Sequence, residues 1–147
     1  MKTIIFVCHG NICRSPAAEY IFKDEIKRRG REDEFNVYSL ALSNEETGND
    51  IYPPMKRELT RVDIPFSYHV ARRIDASDYQ KADLIFYMDD SNRRIISYLL
   101  DDKDNKIKPI YLYSKGIYEI EDPWYTGNFT KVVQQIKTCV NDILDNI

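Results

Sequence analysis

Five residues separate Cys8 from Arg14, and that spacing suits the chemistry of an oxyanion. The segment between them is His9-Gly10-Asn11-Ile12-Cys13, and Ser15-Pro16 comes directly after. A stretch of this length can curl so that its backbone N–H groups point inward. A helix starting immediately afterwards adds its own unpaired N–H groups and its positive dipole end, which makes an anion cradle. Gly10 and Asn11 are residue types that tolerate the positive φ such a curl requires. Arg14 can close over the anion through two parallel N–H groups, a geometry closed to lysine. Cys8 would form the floor, where dipoles that hold phosphate also stabilise a thiolate. The arrangement describes a nucleophile aimed at phosphorus. A bare Cys-x5-Arg arises by chance in about one chain in ten of this length. A cysteine ending a core strand is also commonplace, so the flanking elements must carry part of the argument.

Those elements fit the task. Residues 3–7 form an unbroken β-branched and aromatic run, as in a parallel strand covered on both faces. Pro16 stands where a first-turn proline belongs, and residues 17–29 predict a helix with Ile21, Phe22 and Ile26 on its apolar side and Gly30 as its stop. Residues 35–42 predict a second strand, and Pro53-Pro54 opens a short helix over 53–59. A third strand is expected over 84–88, a helix over 91–100 and a fourth strand over 107–111. From about residue 128, Val132, Val133, Ile136, Cys139, Val140, Ile143 and Leu144 recur at helical spacing. The alternation predicts an α/β fold: a four-stranded parallel sheet with helices on both faces. Ligands of such sheets bind beyond the carboxyl ends of the strands, and the first strand ends at Val7-Cys8.

Composition narrows the function from outside. The 147 residues suit a single domain, 1–147, large enough to bury a core without staples. Twenty-one basic against 24 acidic residues leave a net charge of -3, which argues against a general nucleic-acid binder. The apolar run over residues 4–8 is too short for a signal peptide core or a membrane span, so no membrane insertion is expected. Three cysteines are an odd count and too few for a disulfide framework. With two histidines and no Cys-x-x-Cys, a structural zinc site is not expected. These features lead us to expect a soluble, single-domain protein of a reducing compartment, the cytoplasm.

The segment Val7-Cys8-His9-Gly10-Asn11-Ile12-Cys13-Arg14-Ser15-Pro16-Ala17-Ala18-Glu19 closely resembles the signature of the low-molecular-weight protein tyrosine phosphatases. The likeness continues in family order over nearly the whole chain. Ser39 after Val37-Tyr38 matches the serine that ends the second strand, and His69-Val70-Ala71-Arg72 resembles the family's His-x-Ala-Arg. Met88-Asp89-Asp90-Ser91-Asn92 is similar to its Met-Asp-x-Ser-Asn segment. Asp122-Pro123-Trp124-Tyr125 looks like its general-acid loop of Asp-Pro followed by two aromatics.

The resemblance implies a flavodoxin-like, phosphotyrosine phosphatase I-like three-layer sandwich and hydrolysis of phosphotyrosine and small aryl phosphates. Cys8 would be the nucleophile of a phosphocysteine intermediate, Arg14 the phosphate clamp and Asp122 the general acid and then base. His9, Gly10, Asn11, Ile12, Cys13 and Ser15 would line the phosphate site, with Ser15 donating to the thiolate. Trp124 and Tyr125 would wall the cleft for an aromatic ring, while Asn11, Ser39 and His69 would hold the loop's shape. Cys13 would be the loop's second cysteine, able to bond the nucleophile under oxidation. Phosphotyrosine-containing proteins or peptides would be the partners and inorganic phosphate the product. The resemblance also implies an enzyme that needs no metal or other cofactor. Three residues depart from those common in the family: His9 would make the pocket wall more polar, Glu45 would alter recognition around the phosphotyrosine, and Trp124 would keep the stacking of the usual tyrosine without its hydroxyl.

Several of these residues have plainer readings beside the chemical one. Asp-Pro is an ordinary turn pair, so Asp122 gains its role only through partnership with the loop. Asp89 and Asp90 both suit helix N-caps, and Cys139 suits a core position. Other activities use the same scaffold. A protein arginine phosphatase typically carries a small threonine after the nucleophile, where this chain has His9. An arsenate reductase needs relay cysteines, and residues 79–101 contain none. A non-catalytic phospho-residue binding module would have no use for the proton donor Asp122.

Overall fold

Ile4, Ile5, Phe6 and Val7 are all fully buried, which explains why the first strand has no polar alternation. The computed structural model describes all 147 residues. Strand β1 (Lys2–Cys8) leads through a loop into α1 (Arg14–Arg28), and a 3-10 turn (Glu32–Glu34) precedes β2 (Phe35–Ala41). Helices α2 (Pro53–Arg61) and α3 (Ala76–Lys81) come next, then β3 (Leu84–Tyr87) and α4 (Asp90–Leu99). The chain ends with β4 (Ile107–Pro109), α5 (Pro123–Thr126) and α6 (Phe129–Leu144).

The expected four-stranded sheet is present, wholly parallel, in the order β2-β1-β3-β4. Ile4 and Phe6 point to one face, where they pack with Ala18 and Phe22 of α1, Met55 and Leu59 of α2, and Val133 and Ile136 of α6. Ile5 and Val7 point to the other, against Tyr79 of α3 and Ile96 of α4. Chain order runs outward from β1 in both directions, so the carboxyl end of β1 lies at the switch in strand order. That is where a parallel α/β sheet opens a crevice.

Four departures from the sequence reading have local causes. Helix α1 begins at Arg14 and not at residue 17, so Arg14 and Ser15 lie inside its first turn. Strand β4 stops at Pro109, two residues early, because Leu112 N–H donates back to Pro109 O and turns the chain away. Helices α3 and α5 are too short to show a hydrophobic period. Asn11 takes the positive φ of 58° that the loop needs, but Gly10 does not. Gly10 is small for a different reason, since a Cβ there would sit 3.2 Å from Glu46 Cγ.

Candidate active site

Strand β1 delivers Cys8 to the crevice, and α1 fixes the far end of the loop that leaves it. The Cys8 Sγ lies 3.0 Å from Ser15 Oγ and 3.4 Å from the Ser15 backbone N–H. None of the backbone N–H groups of residues 9–13 donates to a main-chain carbonyl. The Ser15 N–H in the first turn of α1 continues this run of donors left without a main-chain partner, which is what an anion cradle requires.

A buried chain of hydrogen bonds supplies the Ser15 hydroxyl with a donor, which leaves its proton to Cys8 Sγ at 3.0 Å, ahead of the more distant Leu40 O at 3.5 Å. Glu19 Oε1 accepts the Ser39 hydroxyl at 2.7 Å, so Ser39 Oγ is left to accept from Asn11 Nδ2 at 3.0 Å. Asn11 Nδ2 also donates to Ser15 Oγ at 2.8 Å. Ser15 is then free to direct its one proton at Cys8 Sγ. Asn11 is held from outside as well, because His69 Nε2–H donates to its carbonyl at 2.7 Å. Ser39 and His69 therefore both contact the loop.

Arg14 is only 3% exposed and is anchored from behind. Its Nη1 donates to Asp89 Oδ2 at 2.7 Å and to Ile120 O at 2.8 Å. Both Nη1 protons are thus committed, which leaves the Nε–Nη2 edge with two parallel N–H groups for an anion. Burial works against the Arg14 charge, but Cys8 and Asp89 outweigh it and hold the guanidinium above its ordinary pKa. Burial, reinforced by Cys8, pushes the neighbouring Cys13 thiol well above its usual range, so it stays protonated.

The opposite wall comes from the segment before α6. Asp122 caps α5, its Oδ1 accepting the Trp124 N–H at 3.0 Å, and its Oδ2 lies 3.5 Å from Arg14 Nη2. Trp124 and Tyr125 stand half exposed and largely exposed beside it. A cavity of about 170 Å³ is lined by Cys8, His9, Gly10, Ile12, Cys13, Arg14 and, opposite them, Asp122, Trp124 and Tyr125. Glu45 and Glu46 complete its rim, and Glu45 Oε2 lies 2.9 Å from His9 Nε2. A wider depression of about 560 Å³ beside α4 holds no cysteine, and Cys8, Arg14 and Asp122 are all outside it.

Asn11 and Ser15, expected to line the phosphate site, are outside the cavity lining with Ser39 and His69, whereas Cys8, His9, Gly10, Ile12, Cys13, Arg14, Asp122, Trp124 and Tyr125 line it as expected. Two carboxylates support the site in ways the sequence did not reveal, although Asp89 is the N-cap it suited. Asp89 is the N-cap of α4, accepting Asn92 N–H at 2.7 Å, and its second oxygen holds Arg14; Asp90 is simply the helix's first residue. Glu19 is 6% exposed. Its signal was available, since Ser15, Glu19, Phe22 and Ile26 form one buried helical stripe and a charge there needs a partner.

The chain resembles known proteins along its whole length. The profile of the family described as low molecular weight phosphotyrosine protein phosphatase matches residues 3–147. The low molecular weight protein-tyrosine-phosphatase YfkJ of Bacillus subtilis is 34% identical, with 100% of this chain and 96% of the relative aligned. The crystal structure of YfkJ superposes with a TM-score of 0.95, covering 100% of this chain and 94% of that one. The human low molecular weight phosphotyrosine protein phosphatase is 37% identical over 98% of this chain and 94% of its own. The fold, the cradle and these relatives agree, and the chain belongs to the low molecular weight phosphotyrosine protein phosphatase family.

Proposed function

We propose that the protein hydrolyses phosphotyrosine, and small aryl phosphates, through a phosphocysteine on Cys8. The observation that carries this reading is the shared cavity. Cys8 shares it with the loop residues His9, Gly10, Ile12 and Cys13, with Arg14 on one side and a carboxylate, Asp122, on the other, and the Ser15 backbone N–H lies 3.4 Å from the Cys8 sulfur. The phosphate's oxygens lie on the loop amides and on the Nε–Nη2 edge of Arg14, with the substrate ring between Trp124 and Tyr125. The Cys8 thiolate attacks phosphorus, the P–O bond to the ring breaks, and Asp122 gives its proton to the departing phenolate. Water then attacks the phosphocysteine, Asp122 takes the water's proton, and the S–P bond breaks to release inorganic phosphate and the thiolate. One carboxyl group thus serves as acid and then as base. Donors fixed around the developing charge supply most of the acceleration.

Residues 1–147 act as one catalytic domain in this reading. Its nucleophile must stay reduced, which suits the cytoplasm. Turnover of phosphotyrosine, phosphoserine and phosphoarginine peptides, measured side by side, tests the substrate class. Phosphotyrosine should lead by a wide margin, and a phosphoarginine preference would overturn the assignment.

A further inference from the structure

Helix α5 has four residues, too few to hold itself in place, yet it carries the carboxylate that the reaction needs at a fixed distance. Its inner side is met by Tyr52, a residue outside the cavity lining. The Tyr52 ring packs on Trp124 with centroids 4.7 Å apart and planes tilted by 43°. It also packs on Phe129, the first residue of α6, at 6.1 Å. The ring therefore touches the acid segment on both sides of Gly127, the glycine that turns the chain out of α5.

The backbone of the same residue grips the nucleophile loop. Tyr52 N–H donates to Ile12 O at 2.7 Å. Two prolines stand next in the chain, at positions 53 and 54, and Tyr52 itself is extended, with φ −56° and ψ 128°. A residue before proline is confined to that region, so the direction of the ring is preset relative to the loop.

We propose that Tyr52 is a positioning residue that sets the distance between Asp122 and the bound phosphate, acting through Trp124. This rests on the assignment of Asp122 as the general acid. The linkage runs from Ile12 O to the Tyr52 backbone, from its ring to Trp124, and from Trp124 N–H to Asp122 Oδ1 at 3.0 Å. Tyr52 touches neither phosphate nor reacting atoms. Its two links are separable, because a side-chain substitution removes the ring contact and leaves the N–H bond to Ile12.

The experiment compares kcat/KM, which reports enzyme phosphorylation, for phenyl phosphate and for p-nitrophenyl phosphate. The first leaving group needs a proton and the second hardly does. Tyr52→Ala should lower kcat/KM for phenyl phosphate about three- to tenfold, the range expected for one aromatic pair. The p-nitrophenyl value should change less than about twofold, and inhibition by inorganic phosphate should be unchanged, because the loop keeps its bond. Tyr52→Phe should restore the wild-type values, and Tyr52→Ala should add nothing to the leaving-group effect of Asp122→Asn. An equal loss on both substrates, weakened phosphate inhibition, or failure of Tyr52→Phe to rescue would overturn the proposal. An Asp122→Asn variant that lacks the leaving-group split would remove the general acid itself. A normal split there beside an unsplit Tyr52→Ala would remove only the role of Tyr52.

Discussion

Ser15 has one hydroxyl proton, and Glu19, Ser39 and Asn11 together direct it to the Cys8 sulfur. Ser15→Ala keeps the backbone donor at 3.4 Å and loses the hydroxyl at 3.0 Å. A hydrogen bond to a charged group contributes about 1.5–3 kcal/mol, so kcat should fall about 10- to 100-fold with phosphate inhibition retained. Steady-state kinetics would check this, and an unchanged kcat would show that the relay does not end on sulfur. Arg14→Lys replaces a planar fork with a point charge and also abandons Asp89 and Ile120. It should cost about 100- to 1000-fold in kcat/KM on aryl phosphates. Most of these residues were legible in the sequence because the chemistry needs their types at that spacing. The buried position of Glu19 and the capping position of Asp89 were legible too, but their partners were not, since Ser39 and Arg14 lie 20 and 75 positions away in the chain.

Among the elements, the loop between β1 and α1 holds two cysteines of opposite character. Cys8 faces the donors, whereas Cys13, the N-cap of α1, is a buried thiol kept protonated. Peroxide converts a thiolate to a sulfenic acid with release of hydroxide, and a neighbouring thiol can condense with it, releasing water, to give a disulfide. Mass spectrometry after peroxide should show a Cys8–Cys13 link that thiol reductant reverses, with phosphate slowing its formation. Cys13→Ser should be active when reduced but fail to recover, and full recovery would leave Cys13 a packing residue. Helix α3 yields an acid-stability prediction. Its cap Asp75 accepts the Asp78 N–H, which lowers its pKa from 3.8 to about 2. A lowered carboxylate stabilises the fold above its unfolded pKa, and that contribution is lost as pH falls from 3.8 through about 2. Asp75→Asn should flatten that part of the stability profile in urea titrations, and an unchanged profile would place the acid sensitivity elsewhere. The long elements were legible because their apolar residues repeat over several turns or fill a whole strand. Helix α3, with six residues, offered only its capping box, and α5 offered only Asp-Pro.

At the scale of the whole molecule, the sheet joins two cores and carries the site at its switch in strand order. Phe6 is the hinge of the larger core, fully buried, with its ring 5.7 Å from both Phe22 and Phe86. Phe6→Ala should cost about 3–5 kcal/mol in urea unfolding. A loss below about 1 kcal/mol would mean that the strand repacks around the gap. The parallel order was legible because strands and helices alternate, but the sequence did not reveal which loops meet across the crevice. Tyr52 reaches Trp124 across 72 positions, and no local pattern encodes such a contact. The whole mechanism depends on phosphorus passing through Cys8. The direct measurement is rapid quenching of the enzyme during turnover of an aryl phosphate, followed by peptide mass spectrometry. A phosphate should appear on the peptide holding Cys8 and be absent from Cys8→Ser, which should also lose turnover while still binding phosphate. Sustained hydrolysis by Cys8→Ser, or phosphate found on another residue, would contradict the mechanism.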